Sequence, residues 1–206
     1  MRKKNFVTII LIALQAVTIV KAENFPLITA QGTGDLFYGI NPSVTVGNLF
    51  RVGTNPVTIT SLGMFDAGQP GLNQSHSVGL WSTSGSLLAR TDFLPGMDGF
   101  TSNGFIYKNI STPVTLQANT SYVLGAYYPT GSTDGLYVNY TGGYEKWSSV
   151  VTFNGSGRYT PDNAGFTFPD LQVGGMSYVG PNALYVPEPA TILLFGLGGM
   201  ILRKRK

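Results

Sequence analysis

Cysteine is absent from the 206 residues. That excludes disulfides, thiolate catalysis and cysteine-based zinc sites together. Histidine occurs once, at position 76, and charged residues make up only 11% of the chain. Between residues 23 and 186, nine acids face five bases (Arg51, Arg90, Lys108, Lys146 and Arg158), a net charge of −4. The formal +3 of the whole chain comes from its two ends. A nucleic-acid partner is not expected, because phosphate binding needs a basic patch on the folded domain. Nucleophile elbows, HExxH helices, Walker loops and EF-hand loops are missing too. No catalytic residue, metal or cofactor is therefore assigned.

Glycine, by contrast, is abundant, at 27 residues. Ser, Thr and Asn fill most other polar positions, a composition that favours turns and strands over surface helices. Gly, Pro and Asn recur too often for a 3.6-residue apolar stripe. Short β-like runs recur instead. "SVTVGNLFRV" places Val44, Val46, Asn48, Phe50 and Val52 on one face, and "PVTITSLGMF" alternates Val57, Ile59, Ser61 with Thr58, Thr60, Leu62. "HSVGLWS", "SLLARTDF", "NGFIYKNI", "PVTLQ" and "TSYVLGAYY" follow, separated by turn signals such as "STSG" and "QANT". In "LWSTSGSLLA", Leu80 and Trp81 are expected on opposite faces, with Gly85 inverting the chain. From about Pro129 the spacing loosens, and "NGSGRYTPDNAG" reads as a long loop. The expectation is all-β: a single antiparallel sandwich or jelly roll over residues 23–186.

The two ends differ from this middle. "MRKKNFVTIILIALQAVTIVKAENF" runs from cations through an apolar stretch to small residues. That order predicts a helical secretory signal peptide over 1–22, cut between Ala22 and Glu23. The chain closes with "VPEPATILLFGLGGMILRKRK". A helix over Ala190–Leu202 would span about 20 Å, against a hydrocarbon core of about 30 Å. Gly196, Gly198 and Gly199 weaken it further as a helix. Arg203, Lys204, Arg205 and Lys206 are expected to stay on the cytoplasmic side as a topological stop, with the domain outside.

Pro187-Glu188-Pro189, a short glycine-bearing apolar stretch and a basic cluster, in that order, resemble the PEP-CTERM protein-sorting signal. The resemblance implies a partner, a membrane-embedded exosortase that removes the tail. It also implies export through the inner membrane, transient C-terminal anchoring, and a final place on the cell surface or in an extracellular polysaccharide matrix. Residues 187–206 would form this segment. The run from Val44 to Thr130 resembles the DUF4082-type β-sandwich of secreted bacterial proteins. Its features are a His shortly before Leu80-Trp81, the Gly85 turn, Leu87-Leu88-Ala89, Pro113-Val114 and the Ala118-Asn119-Thr120-x-Tyr122 turn. Gly104-Phe105 stands where that family usually has Gly-Trp. The resemblance implies an adhesive or carbohydrate-associated accessory module without an established activity.

Four groups of residues remain as candidates. His76 either belongs to a Ser-His-Asp arrangement assembled in space or makes a structural hydrogen bond, the reading favoured here. Asp134, Asp162 and Asp170 lie in Gly- and Asn-rich stretches suited to calcium or to ordinary turn chemistry. Tyr128, Tyr137, Tyr140, Tyr144 and Trp147 form the densest aromatic run, suited to stacking on sugar rings or to packing. Asn73, Asn109, Asn119, Asn139 and Asn154 head Asn-x-Ser/Thr sequons. The leading reading is a non-enzymatic surface or matrix protein associated with extracellular polysaccharide. The alternative is a secreted glycan-active hydrolase, which needs a carboxylate pair in a cleft.

Overall fold

The structure is a computed structural model that describes residues 23–30, 35–38, 40–66, 70–139 and 145–187. Among these residues the chain forms sixteen strands: β1 (Phe25–Pro26), β2 (Ile28–Ala30), β3 (Asp35–Phe37), β4 (Val44–Val52), β5 (Val57–Phe65), β6 (His76–Ser82), β7 (Leu87–Phe93), β8 (Phe100–Ser102), β9 (Phe105–Leu116), β10 (Ser121–Tyr128), β11 (Leu136–Asn139), β12 (Glu145–Trp147), β13 (Val151–Tyr159), β14 (Leu171–Gly174), β15 (Ser177–Val179) and β16 (Pro181–Pro187). No helix long and apolar enough to cross a membrane occurs among the described residues. The helices expected over 1–22 and 190–202 lie outside them.

A six-stranded sheet, β14-β13-β4-β10-β6-β7, packs on a five-stranded sheet, β1-β16-β5-β9-β8. The strand pairs of both sheets are antiparallel. Two smaller sheets, β15-β11-β3 and β12-β2, complete the sandwich. The face read in β4 is the core face from Val46 onward, although Thr45 and Gly47 on the opposite face are buried too. Val46, Asn48, Phe50 and Val52 are all buried; the first three pair with the inward residues Ala126, Leu124 and Tyr122 of β10, and Val52 pairs with Val151 of β13. Asn48 is the polar member of that face. Its amide donates to the Tyr178 carbonyl (2.7 Å) and accepts from the Tyr178 N–H (2.9 Å), which ties β15 to β4 and satisfies the buried group. Apart from Trp81 and Val123, the buried apolar side chains of the described residues form one core, from Leu27 to Tyr185. Fully burying a Leu, Ile or Phe side chain contributes about 1.5–3 kcal/mol each. A core of this extent holds the fold without disulfides.

Two segments depart from the strict period. In β5 the register shifts between Ile59 and Ser61 against both neighbours. This bulge moves the alternation by one residue, so Leu62 and Met64 become buried like Val57 and Ile59 before it. In β13 the turn-like "NGSG" does not end the strand. Pairing with β4 is interrupted between Phe153 and Gly157 and then resumes through Tyr159. The loop expected there is instead a bulge within a strand, and only the stretch after Tyr159 leaves the sheet.

The turns have identifiable causes. Gly85, at φ 87°, closes the β6–β7 hairpin, where the Ser82 N–H donates to the Ser86 carbonyl at 3.0 Å. Asn119 adopts φ 55° before β10. The Tyr122 hydroxyl, five residues after Gln117, accepts the Gln117 N–H at 2.9 Å, so the Ala118-Asn119-Thr120-x-Tyr122 motif is a turn latched by its own tyrosine. On the outer face of the six-stranded sheet, Gly47, Gly125 and Gly79 are cross-strand neighbours. The Trp81 ring lies on this smooth strip: a Cβ at Gly79 would sit 2.3 Å from it. Phe166 and Phe168 cover the indole, and the Arg90 guanidinium stacks 4.4 Å over Phe166. Leu80 points the other way, into the core.

Candidate functional site

The ends of the folded domain come together at one place. Phe25 pairs with Tyr185 and Pro26 with Leu184, while Lys146 pairs with Thr29 and Trp147 with Ile28. Leu27, between β1 and β2, joins the two pairings: its N–H donates to Ala183 and its carbonyl accepts from Ser148, both at 2.9 Å. The resulting open groove of about 390 Å³ is lined by Phe25, Pro26, Thr29, Lys146, Trp147, Ser148, Ser149 and Tyr185.

Its chemistry is mixed. Phe25 is 39% exposed and leans on Tyr185, with ring centroids 5.9 Å apart. The Ser148 and Tyr185 hydroxyls share a 2.7 Å hydrogen bond. Trp147 is half-buried, parallel to Phe153 at 5.2 Å and stacked near Phe50 at 6.0 Å. Packing therefore fixes its orientation, and its Nε1 is buried without a hydrogen-bond partner. Lys146 is exposed. An apolar ring face, hydroxyls and one cation on a surface groove suit a polyhydroxylated ligand.

The aromatic run read from the sequence is not gathered into one ridge among the described residues. Tyr128 is completely buried, so it has no ring face for a sugar, and the expectation for it is corrected. Its side chain packs edge-on to His76, and burial, helped by the charge of Asp134, pushes its hydroxyl pKa up. Tyr137 is half-buried and packs on Phe65 with centroids 4.8 Å apart. Tyr140 and Tyr144 lie outside the described residues. Of the described members of the run, only Trp147 reaches the groove. Phe25, Lys146 and Tyr185 are partners that sequence reasoning missed, because they come from three strands far apart in the chain.

His76 and Asp134 form a buried brace. The imidazole has Nδ1 2.9 Å from the Tyr127 carbonyl and Nε2 2.8 Å from Asp134 Oδ2. Both acceptors lack hydrogens, so a ring nitrogen that carries a proton donates it to its own neighbour, Nδ1 to the Tyr127 carbonyl and Nε2 to Asp134. Asp134 also accepts the N–H groups of Asn73 (2.7 Å) and Gln74 (2.9 Å). Burial raises its carboxyl pKa, but the hydrogen bonds from His76, Asn73 and Gln74 outweigh burial and hold it below the ordinary value. With both imidazole nitrogens engaged and the side chain 0% exposed, His76 has no nitrogen left for a serine nucleophile.

Of the other acids, Asp92 and Asp98 gather around Lys108, which donates to the Asp92 carbonyl and to Asp98 Oδ2, and Asp66 lies within electrostatic reach of Asp134. Asp66 is shifted up by burial, against the Gly71 N–H and reinforced by the charge of Asp134. Asp134, its electrostatic neighbour, already accepts from three donors. Asp162 and Asp170 are exposed, between β13 and β14. No group of three or more His, Asp or Glu positioned to hold a metal occurs among the described residues. Of the sequon asparagines, Asn73, Asn109, Asn119 and Asn154 are exposed. Asn139 is buried and its Nδ2 donates to Glu145 at 2.5 Å, so the folded protein does not present it. Glu23 is exposed at the start of the domain and Pro187 ends β16. Ala22, Glu188, Pro189, Arg203, Lys204, Arg205 and Lys206 lie outside the described residues.

Comparison with known proteins finds two matches. A family model described as a domain of unknown function, DUF4082, covers residues 33–180, well beyond the 44–130 in which the resemblance was legible. The PEP-CTERM protein-sorting motif covers residues 186–206. No curated protein matches the chain.

Proposed function

From a chain that belongs to the DUF4082 family and ends in the PEP-CTERM sorting motif, we propose a non-catalytic protein of the cell surface or extracellular matrix that associates with polysaccharide. The sorting motif marks the chain as an exported protein processed by an exosortase and directed to the cell surface. The signal peptide over 1–22 and transient anchoring through 190–202 belong to the same proposal.

The association with polysaccharide rests on the groove between β1, β2, β12 and β16. Phe25 presents a ring face to the C–H surface of a sugar. Thr29, Ser148, Ser149 and Tyr185 line the groove with hydroxyls, and Lys146 adds a cation. Sugars need this combination of a flat apolar face and directional polar groups. The test is retention of the protein on a panel of immobilised polysaccharides, with soluble sugar assayed at the same time. Retention that Phe25→Ser or Lys146→Glu weakens supports the proposal. Release of sugar at a rate above a heat-inactivated control overturns its non-catalytic part.

A further inference from the structure

The two main sheets end in four edge strands. β1, β8 and β14 are two, three and four residues long, whereas β7 has seven. A long edge offers a row of backbone donors and acceptors to any chain that can pair with it. Among the described residues β7 pairs with β6 alone. Its Thr91 and Phe93 are buried, while Arg90 and Asp92 stand exposed on the outer face. Leu87, Leu88, Leu94, Met97 and Phe100 are five of the nine large hydrophobic residues that the described chain exposes, so the apolar surface gathers beside this one edge. An open groove of about 360 Å³, lined by residues 87–90 and 110–112, runs along it.

Charges on an edge usually keep other chains away. Two opposite charges, two residues apart on one face, instead select a partner. When two β7 strands lie antiparallel about a two-fold axis at Thr91, Arg90 of each copy faces Asp92 of the other, and Leu88 comes toward Leu94. Opposite charges on facing strands are favourable, and like charges are not. Moving the axis to Arg90 sets Arg90 against Arg90, and moving it to Asp92 sets Asp92 against Asp92. The strand is therefore complementary to itself in one register. Its groups are available for this. Within the copy, Arg90 reaches Asp92 Oδ1 through Nε and Nη2, both at 2.8 Å, and Ser77 donates to the same oxygen. Asp92 Oδ2 and Arg90 Nη1 are left for a partner, on side chains 60% and 46% exposed. Lys108 donates to the Asp92 carbonyl, which keeps a second lone pair for a cross-strand N–H. The Leu94 N–H is held by Asp98, so the new ladder ends there.

We propose that two copies of this protein associate through their β7 edges, antiparallel about a two-fold axis at Thr91, with reciprocal Arg90–Asp92 contacts. The six-stranded sheets of the two copies join into one continuous sheet, and the apolar side chains beside the edge are covered. β7 packs against β9, toward the β8 side of the five-stranded sheet, whereas β1 closes that sheet at its other side. The pairing therefore leaves the groove at β1 open in both copies, and a dimer would engage a polymeric ligand through two sites at once. The association itself does not depend on what that groove binds.

The experiment is sedimentation velocity over a dilution series of the protein recovered from the surface fraction of its host, with circular dichroism to confirm that each variant is folded. The native protein is expected to form a dimer that dissociates on dilution. Arg90→Asp and Asp92→Arg each set like charges opposite one another twice, and each should raise the dissociation constant about tenfold or more. An equimolar mixture of the two variants restores both contacts, so a heterodimer should form with close to native affinity. Mixing cannot repair damage within one copy, which separates the interface from a purely structural role of the pair. Leu94→Lys changes a side chain that is 61% exposed and should weaken the dimer without lowering the thermal midpoint, so the test stands even if the charge variants misfold. A native protein that is monomeric throughout, a dimer that none of the three variants weakens, or a mixture no more associated than its components would overturn the proposal.

Discussion

Replacing Asp134 with Ala should destabilise the sandwich more than any surface change, although no catalytic role is assigned to it. The substitution removes the acceptor of His76 Nε2 at 2.8 Å, in a pair whose side chains are 0% and 4% exposed. It also removes the acceptor of the Asn73 and Gln74 N–H groups, which lie nearer to solvent. Breaking one side of a buried pair costs about 3–5 kcal/mol, because the remaining partner stays buried and uncompensated. A domain of this size has roughly 5–15 kcal/mol in total. At about 2–4 °C per kcal/mol, the thermal midpoint falls by roughly 6–20 °C. Calorimetry of the native and Asp134→Ala proteins, together with His76→Ala and the double variant, measures the effect and its coupling. Because the hydrogen bonds depress the Asp134 pKa, its contribution is present above the unfolded carboxylate value, about 3.9. It is lost as the pH falls through the lower folded value. The native midpoint should therefore drop on acidification, and the Asp134→Ala midpoint should drop less. A midpoint shift below about 2 °C at neutral pH, or additive single variants, would refute the brace.

Three further outcomes are expected. Gly79→Ala places a methyl group 2.3 Å from the Trp81 ring, so the indole must leave its strip at a cost of about 1–3 kcal/mol; denaturant titration and the near-ultraviolet dichroism of Trp81 read this, and an unchanged spectrum would contradict it. Tyr122→Phe removes the acceptor of the Gln117 N–H and should cost about 1 kcal/mol in chemical denaturation, with the fold retained. Lys146→Glu and Phe25→Ser alter exposed or half-exposed groove residues and should leave the thermal midpoint nearly unchanged while reducing polysaccharide retention; equal retention by both variants would remove the groove from the proposal.

Much of the fold was legible because one face of each long strand is buried. Val44 to Val52 carries its period without interruption, and its observed partners on β10 keep the same phase. Leu80 and Trp81 diverge as a strand requires, and Gly85 and Asn119 sit at the turns their neighbours announce. Bulges were not legible. A bulge inserts a residue without changing composition, so Thr60 hid the phase change in β5 and "NGSG" disguised β13 as a loop. Long-range polar pairing was equally silent. Asp134 lies 58 residues from His76, and nothing local distinguishes it from a turn aspartate. The groove depends on Phe25, Lys146 and Tyr185 meeting through β1, β2, β12 and β16, a consequence of sheet order rather than of any contiguous pattern. Tyr128 misled for a related reason: aromatic density in sequence does not tell an inward strand position from an outward one. The C-terminal motif was readable outright, since its information lies in the order of three adjacent elements.

The most direct test of the account is a single binding measurement. The protein recovered from the surface fraction is passed over a panel of immobilised polysaccharides, and bound protein and soluble reducing sugar are quantified together. The account predicts retention on at least one polysaccharide, weakened by Lys146→Glu, with no sugar released above a heat-inactivated control. Absence of retention on every polysaccharide, or release of sugar by the native protein, would contradict it.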